Sequence, residues 1–317
     1  MKVAIVGATG ETGRSVVSGL LNAETNFEIT ALIRPASLSK PAVHDLRSRG
    51  VNVVPVDLAQ ARHEDLVDTL SGIDIVISAI HYQSLSDEIP LANAAKDAGV
   101  RRYVPCFWAT VAARGVMSLR DAKEDILAHI QRLRLPYTVI DVGWWYQISL
   151  PRIPSGRFDY ALRAPQTSYS IFGEGDTPSA MTDLRDLGVY VAQVICDERT
   201  INKKVLAATE AWTQNEVVDI AESVTGEKVN VVKVPAAQVE AKVSEVRNSN
   251  TGINQERTRY EYFYSWGVRG DNTVENARYL GYLIFDDLYP DFKCHIHSFE
   301  EYLREALDGK VARVYGA

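Results

Sequence analysis

The first residues whose types and spacing suit chemistry are Gly7-Ala8-Thr9-Gly10-Glu11-Thr12-Gly13. They follow the apolar run Val3-Ala4-Ile5-Val6 and precede a stretch in which Val16, Val17, Leu20 and Leu21 recur at helical spacing. Glycines in such a loop permit a tight turn, let bare backbone approach a pyrophosphate and let the next helix pack close to the strand. The helix N-terminus then attracts the anion. The pattern predicts a dinucleotide cradle made by Gly7, Thr9, Gly10, Glu11, Thr12 and Gly13. A second strand run, Ile29-Thr30-Ala31-Leu32-Ile33, ends in Arg34, with Lys40 six residues later and no acid at the strand end. A carboxylate there would take the ribose 2′-hydroxyl of NAD, whereas basic side chains suit the 2′-phosphate of NADP. Arg34 and Lys40 therefore make NADP(H) the expected cofactor; otherwise they are ordinary solvated charges. Asp57, after the third strand run, reads either as a border of the adenine or as a turn or N-cap residue.

Three further positions carry groups able to move a proton. Lys123 falls four residues before Leu127 and seven before Ile130, on the face that Leu127, Ile130 and Leu133 turn inward. It is either a snorkelling side chain in a first helical turn or a general acid/base beside a nicotinamide, and periodicity leaves both open. His81 follows Ala79-Ile80 at the end of the fourth strand run, where it reads as a proton donor or as a plain loop histidine. Cys106 lies in Pro105-Cys106-Phe107-Trp108 after the fifth run, with no partner base in view, so it reads as a packing thiol. Ala79, Ile80, Pro105, Cys106 and Phe107 are expected to touch the cofactor. Trp108, Trp144, Trp145, Tyr146 and Tyr169 either line an apolar pocket for an aromatic or polycyclic substrate or pack the core. His295 and His297 alternate as in a strand without a third ligand, so no metal site is expected.

The elements that must position these groups are short β-rich runs separated by helix-length segments. After the first two come Val51 to Val54, Ile75 to Ile77, Tyr103-Val104 and Tyr137 to Ile140. Such alternation predicts a doubly wound parallel sheet of Rossmann type, with a helix starting at Ser118-Leu119-Arg120-Asp121. Beyond about residue 143 the character changes to Trp144-Trp145-Tyr146, Pro151, Pro154 and glycines. The expected division is a nucleotide-binding domain over 1–150 and a smaller α+β substrate domain over 151–317, parts of which return to the main sheet. Helical stretches are expected at Leu184 to Cys196, Asn215 to Thr225 and Ala236 to Arg247, with a strand at Val229 to Val234. The 317 residues, 46% hydrophobic, suffice for this. A formal charge of −7 argues against direct nucleic-acid binding. Three scattered cysteines suggest no disulfide framework, and the absence of a long apolar run or leader pattern points to a cytoplasmic protein off the membrane.

Several blocks taken together resemble the isoflavone-reductase-like branch of the NmrA-like atypical short-chain dehydrogenases, which includes pinoresinol-lariciresinol and phenylcoumaran benzylic ether reductases. The glycine loop, Leu32-Ile33-Arg34-Pro35, Leu135-Pro136-Tyr137-Thr138, Gly173-Glu174-Gly175-Asp176, Asp186-Leu187-Gly188 and Asp197-Glu198-Arg199-Thr200-Ile201-Asn202-Lys203 are similar to that family's signatures. Gly270-Asp271, Leu288-Tyr289-Pro290-Asp291 and a final Tyr302-Leu303 helix match its closing pattern. The resemblance implies NADPH, hydride delivery from the nicotinamide and a catalytic lysine; Lys123, with twelve residues between it and Pro136, stands at that lysine's place. Where the family has a Ser and a Glu after the fifth strand, this chain has Cys106 and Phe107, so the family's polar positioning is expected to be lost there. The resulting expectation is an NADPH-dependent reductase of an aromatic or polycyclic small molecule in secondary metabolism. Its rivals are a redox-neutral isomerase or cyclase that keeps NADP bound and a dinucleotide-sensing regulator without turnover. Family likeness leaves a homodimer open.

Overall fold

In the computed structural model, which describes residues 1–249 and 252–315, the chain forms two compact units that interleave along the sequence. One comprises Met1–Trp108, Ala122–Ile140 and Arg185–Val205; the other comprises Ala109–Asp121, Asp141–Leu184 and the chain from Leu206 on. The units thus do not coincide with the segments 1–150 and 151–317, and the second is the larger. The reason is the return of Arg185–Val205, whose helix packs on the first helix of the chain.

The first unit runs β1 (Lys2–Val6), α1 (Glu11–Asn22), β2 (Glu28–Ile33), α2 (Pro41–Ser48), β3 (Asn52–Pro55), α3 (His63–Leu70), β4 (Ile75–Ser78), α4 (Glu88–Asp97), β5 (Arg102–Val104), most of α5 (Ser118–Arg132) and β6 (Thr138–Asp141). Every expected strand run forms a strand. Five lie in the order β3-β2-β1-β4-β5, all parallel, with Val6 opposite both Leu32 and Ser78. A parallel bridge from Tyr103 to Tyr137 continues the sheet toward β6, and the strand Lys203–Leu206 lies beside β6. Val3, Ala4, Ile5, Val76 and Ile77 are fully or almost fully buried, because crossover helices cover both faces. This is why these strands read as continuous apolar runs rather than alternating ones.

Two contacts bring the helix Leu187–Cys196 back to the sheet. Gly188 and Gly19 of α1 meet with no room for a side chain: a Cβ on Gly188 would lie 1.9 Å from the Ser15 carbonyl oxygen, and one on Gly19 would lie 2.0 Å from the Gly188 carbonyl carbon. The Gly188 amide donates to Ser15 Oγ at 3.0 Å, which in turn donates to the Arg185 carbonyl at 3.1 Å. At the other end, Arg102, 4% exposed, donates to Thr138 Oγ1 (3.1 Å), the Val194 carbonyl (3.1 Å), Thr200 Oγ1 (2.7 Å) and the Asp197 carbonyl (2.9 Å). Neutral acceptors from three elements thus hold a buried guanidinium.

In the second unit the strand Ser179–Thr182 pairs in parallel with Trp144–Trp145 and antiparallel with Glu210–Trp212, while Tyr169–Phe172 pairs in parallel with Val231–Val234. Its main core gathers Tyr146, Phe158, Phe299, Tyr302 and Leu303. Arg120 at the start of α5 pairs with Asp141 at 2.7 Å, both essentially buried, and the Tyr282 hydroxyl accepts from Arg120 and donates to Asp141 Oδ2 at 2.6 Å. Among the described residues, no helix is long and apolar enough to cross a membrane.

Gly188→Ala should destabilise the chain by about 2–3 kcal/mol through overpacking against main chain, read as a lower urea midpoint with an unchanged slope. An unchanged midpoint would refute the glycine-to-glycine crossing.

Candidate active site

The glycine loop is shaped by close approach. Gly7 has φ +79°, and a Cβ there would lie 2.2 Å from the Ala79 carbonyl oxygen; one on Gly13 would lie 2.1 Å from the Gly7 carbonyl oxygen. Gly10 donates its amide to Gly7 O at 3.0 Å and occupies the N-cap of α1, where it has no side chain to satisfy the first-turn amides. Those amides remain available to an anion. The Glu11 carboxylate pairs with Arg14 at 2.7 Å, so what Glu11 offers the cradle is its main chain. Because Val6 is level with Leu32 and Ser78, the glycine loop, Arg34 and Ala79-Ile80 all leave the same carboxyl edge of the sheet. Arg34 and Lys40 are exposed, the latter at the N-cap of α2. Asp57 Oδ1 accepts the Ala59 amide at 3.2 Å, which is the turn role.

After β5 the chain makes a tight turn. Phe107 N donates to Pro105 O at 2.8 Å, and Trp108 adopts φ +40°, a left-handed conformation costly for a bulky residue. The turn is held by Trp108 N to Ile140 O at 3.1 Å and by the Trp108 indole to Ser78 O at 2.7 Å. It leaves the Phe107 carbonyl as the acceptor for Lys123 Nζ. Lys123 is 7% exposed, so it is a buried cation rather than a snorkelling one. Phe107, Leu127 and Val139 pack together in this region.

Sequence reasoning missed Glu88. It opens α4, is 1% exposed, and accepts the Cys106 amide at 2.8 Å. Burial pushes its carboxyl up to about 7, while the Ser78 hydroxyl, the Cys106 amide and the Lys123 charge pull the other way. The turn after β5 thus meets a carboxyl that α4 supplies from another part of the chain. Only its acidic position before the Ile89-Pro90 helix start was visible, and that looks like an ordinary first-turn acid. Cys106 donates its thiol to Ile80 O at 3.1 Å, and burial pushes it up to about 12, in keeping with a packing thiol. His81 is exposed, caps the turn Tyr82–Asp87 by accepting the Gln83 amide at 3.4 Å, and packs on Tyr82 with centroids 4.4 Å apart.

The predicted aromatic residues separate. Trp144 and Tyr169 line a cavity of about 670 Å³ in the second unit, together with Phe172, Tyr260, Phe263 and Trp266. The last two belong to a π-helical segment, Phe263–Arg269, a rare geometry frequent at functional sites. Trp144 packs on Trp266 at 4.9 Å and Phe172 stacks on Phe263 at 3.9 Å between centroids. Burial pushes the Tyr169 phenol upward, keeping it an O–H donor. Trp145 lies outside this lining: it is buried and stacks on Tyr315. Tyr146 is core, fully buried, with its hydroxyl on Glu210 at 2.6 Å. Trp108 is likewise buried and spends its indole N–H on Ser78.

Because the folded Glu88 carboxyl titrates well above the ordinary 4.5, the native state holds its proton while the unfolded chain releases it, so stability falls as pH rises from 4.5 to about 7. Against Glu88→Gln, the native chain should lose on the order of 3 kcal/mol across that window and be flat above it. Urea unfolding of both proteins at a series of pH values measures this, and parallel curves would contradict it.

Residues 1–303 match the model of the NmrA-like family. The chain is 49% identical, over 98% of its own length and 96% of the relative's, to asnovolin J 5′,6′-dehydrogenase of Aspergillus novofumigatus. It is 27% identical, over 95% of its length and 97% of the relative's, to an isoflavone reductase-like protein of Olea europaea. Among solved structures, the complex of leucoanthocyanidin reductase from Vitis vinifera with NADPH has the same fold, with TM-score 0.80 at 20% identity over 97% of this chain and 100% of that one. Isoflavone reductase does so with TM-score 0.78 at 24% identity over 96% and 98%. With the family model spanning the chain from its first residue to residue 303, the chain belongs to the NmrA-like family.

Proposed function

We propose that this chain, an NADP(H)-dependent oxidoreductase of the NmrA-like family, transfers a hydride between the nicotinamide and an aromatic or polycyclic small molecule. The observation that carries the reading is Lys123, buried on the Phe107 carbonyl in the same unit as the glycine cradle. The residues present fit the cofactor: the uncapped start of α1 suits a pyrophosphate and exposed Arg34 suits a 2′-phosphate. When bound, the nicotinamide supplies or accepts the hydride. Arg34 and Lys40 bind the 2′-phosphate, and the main chain of Gly10 to Gly13 binds the pyrophosphate. Lys123 gives or takes the proton at Nζ, directly or through a water, and the Phe107 carbonyl orients it. The rings of Trp144 and Tyr169 receive the substrate's apolar surface. A sensor without turnover has no use for a buried lysine at this place.

One observation favours transfer from substrate to NADP+ over reduction: the relative that is 49% identical is named a dehydrogenase. Both directions use the same groups, since the proton that Lys123 gives in reduction it takes in oxidation.

Purified protein incubated with NADPH or NADP+ and candidate polycyclic ketones, enones and their saturated counterparts, followed by reduced-nicotinamide absorbance and product mass, reads the reaction and its direction. Lys123→Ala should lower turnover by about a hundredfold or more with nucleotide affinity kept; unchanged turnover would remove its assignment. Arg34→Ala should weaken NADPH by about tenfold and leave NADH nearly unaffected. Equal losses for the two nucleotides would sink the 2′-phosphate role.

A further inference from the structure

Of the six rings that line the aromatic cavity of the second unit, five are engaged with one another. Trp144 lies against Trp266 at 4.9 Å and Phe172 on Phe263 at 3.9 Å between centroids. Tyr260 meets Phe263 edge-on at 6.0 Å, with Lys242 and Arg259 over its ring at 5.7 and 5.1 Å. Tyr169 is the exception. Its half-buried ring packs on the main core of the unit, but among the described residues no ring or cation faces it and nothing accepts from its hydroxyl. Its place is fixed by main chain instead: Tyr169 N donates to Asn230 O at 2.7 Å, and the strand Tyr169–Phe172 pairs with Val231–Val234.

The same lining holds a second unspent donor. Trp266 is 6% exposed and its indole N–H has no acceptor, whereas Trp108 and Trp212 give theirs to Ser78 O and Glu210. A buried donor without an acceptor is costly, and an indole can only donate. These two groups therefore call for a ligand that brings an acceptor. An anion is the wrong kind: Lys242 is already paired with Glu245 at 2.7 Å and Glu256 at 3.2 Å, and Arg259 is exposed to water. A carboxylate carried among the rings would lose its hydration without a buried cation to replace it. A neutral oxygen avoids that cost.

We propose that the cavity takes a fused-ring molecule carrying a neutral carbonyl oxygen, and that the Tyr169 hydroxyl determines specificity by donating to that oxygen. The proposal rests on the functional reading above, in which the rings of Trp144 and Tyr169 receive the substrate's apolar surface. A volume of about 670 Å³ lies in the range that encloses a drug-sized molecule. Rings offer apolar area to many shapes, so discrimination falls to the hydrogen bond, which an analogue without the oxygen cannot make.

Equilibrium dialysis of the full chain with two probe pairs, 1-tetralone with tetralin and fluorenone with fluorene, measures this. Tyr169→Phe should weaken each ketone by about fivefold and leave each parent hydrocarbon within about twofold, so that ring packing cancels within a pair. The variant keeps the ring and the main-chain bonds, and the hydroxyl it removes has no partner among the described residues. A second readout needs no variant: the infrared carbonyl band of fluorenone bound to the wild-type chain should lie at lower frequency than in hexane. Equal effects of Tyr169→Phe on ketone and parent overturn the inference, as do a carbonyl band at its hexane frequency and a chain that binds neither member of a pair. Dialysis requires no nucleotide, so the two readings fail separately. Hydride transfer by a chain that treats ketone and parent alike removes the inference and keeps the functional reading. A ketone preference in a chain that binds no nucleotide removes the functional reading and keeps the ligand assignment.

Discussion

Burying the ammonium of Lys123 at the carboxyl edge of a parallel sheet imposes most of what surrounds it. A lysine removed from water must regain hydrogen bonds and a compensating charge. The first comes from the Phe107 carbonyl, in the turn that follows the end of the strand at Val104. That turn forces Trp108 into left-handed backbone, and the strain is held by one main-chain bond to β6 and one indole bond to β4. The second is available only when Glu88, whose carboxyl accepts the Cys106 amide of the same turn, is ionised, and its burial favours the protonated form. The turn thus orients the lysine, anchors the carboxylate and fastens strands on either side of β5, so that chemistry and sheet order depend on one four-residue segment.

The glycine loop and the six strand runs were legible because each follows from local rules: a tight turn admits only glycine, and a strand covered on both faces is continuously apolar. Lys123 was visible as a break in helical periodicity, although its burial was not. Glu88 was hidden because a carboxylate in a first helical turn is ordinary, and only the approach of β5 makes this one buried. Which part of the later segment returns to the main sheet escaped for a similar reason. Arg185–Val205 joins the nucleotide unit through Gly19 against Gly188 and through Arg102, contacts between residues far apart in sequence with no local mark. In Trp144-Trp145-Tyr146 composition announced rings, but whether a ring faces a cavity or a core is settled by partners such as Trp266 and Glu210 that lie far downstream.

Several motifs that carry the family resemblance turn out to build the frame. Asp186-Leu187-Gly188 supplies the crossing on α1, the helix whose N-terminus forms the cradle. The run from Asp197 to Lys203 folds around Arg102: Asp197 gives its carbonyl to the guanidinium and its carboxylate to the Arg199 amide at 2.8 Å, and Thr200 gives its hydroxyl oxygen. In Gly173-Glu174-Gly175-Asp176, Asn215 donates to the Glu174 carbonyl and Asp176, fixing a turn in which Gly173 and Gly175 both have positive φ. These motifs identify the fold without reporting the substrate.

The aromatic cavity of the second unit can vary in shape independently of that frame. Its aromatic walls come from Trp144 and from two segments, Tyr169–Phe172 and Tyr260 to Trp266, and the backbones of these two are held by other means. The Gln214 amide accepts from Phe172 N at 2.9 Å and donates to Phe172 O at 3.0 Å, so the strand position is kept whatever ring stands there. The π-helical segment ends at Arg269 with Gly270 as its cap, and Asp271 then accepts from Ser265 at 2.9 Å and pairs with Arg269 at 3.0 Å. Exchanging Phe172 therefore leaves its strand in place, whereas a change at Cys106, Phe107 or Trp108 disturbs the turn that holds Lys123. Main-chain geometry fixes the turn that holds Lys123, whereas side-chain volume shapes the cavity.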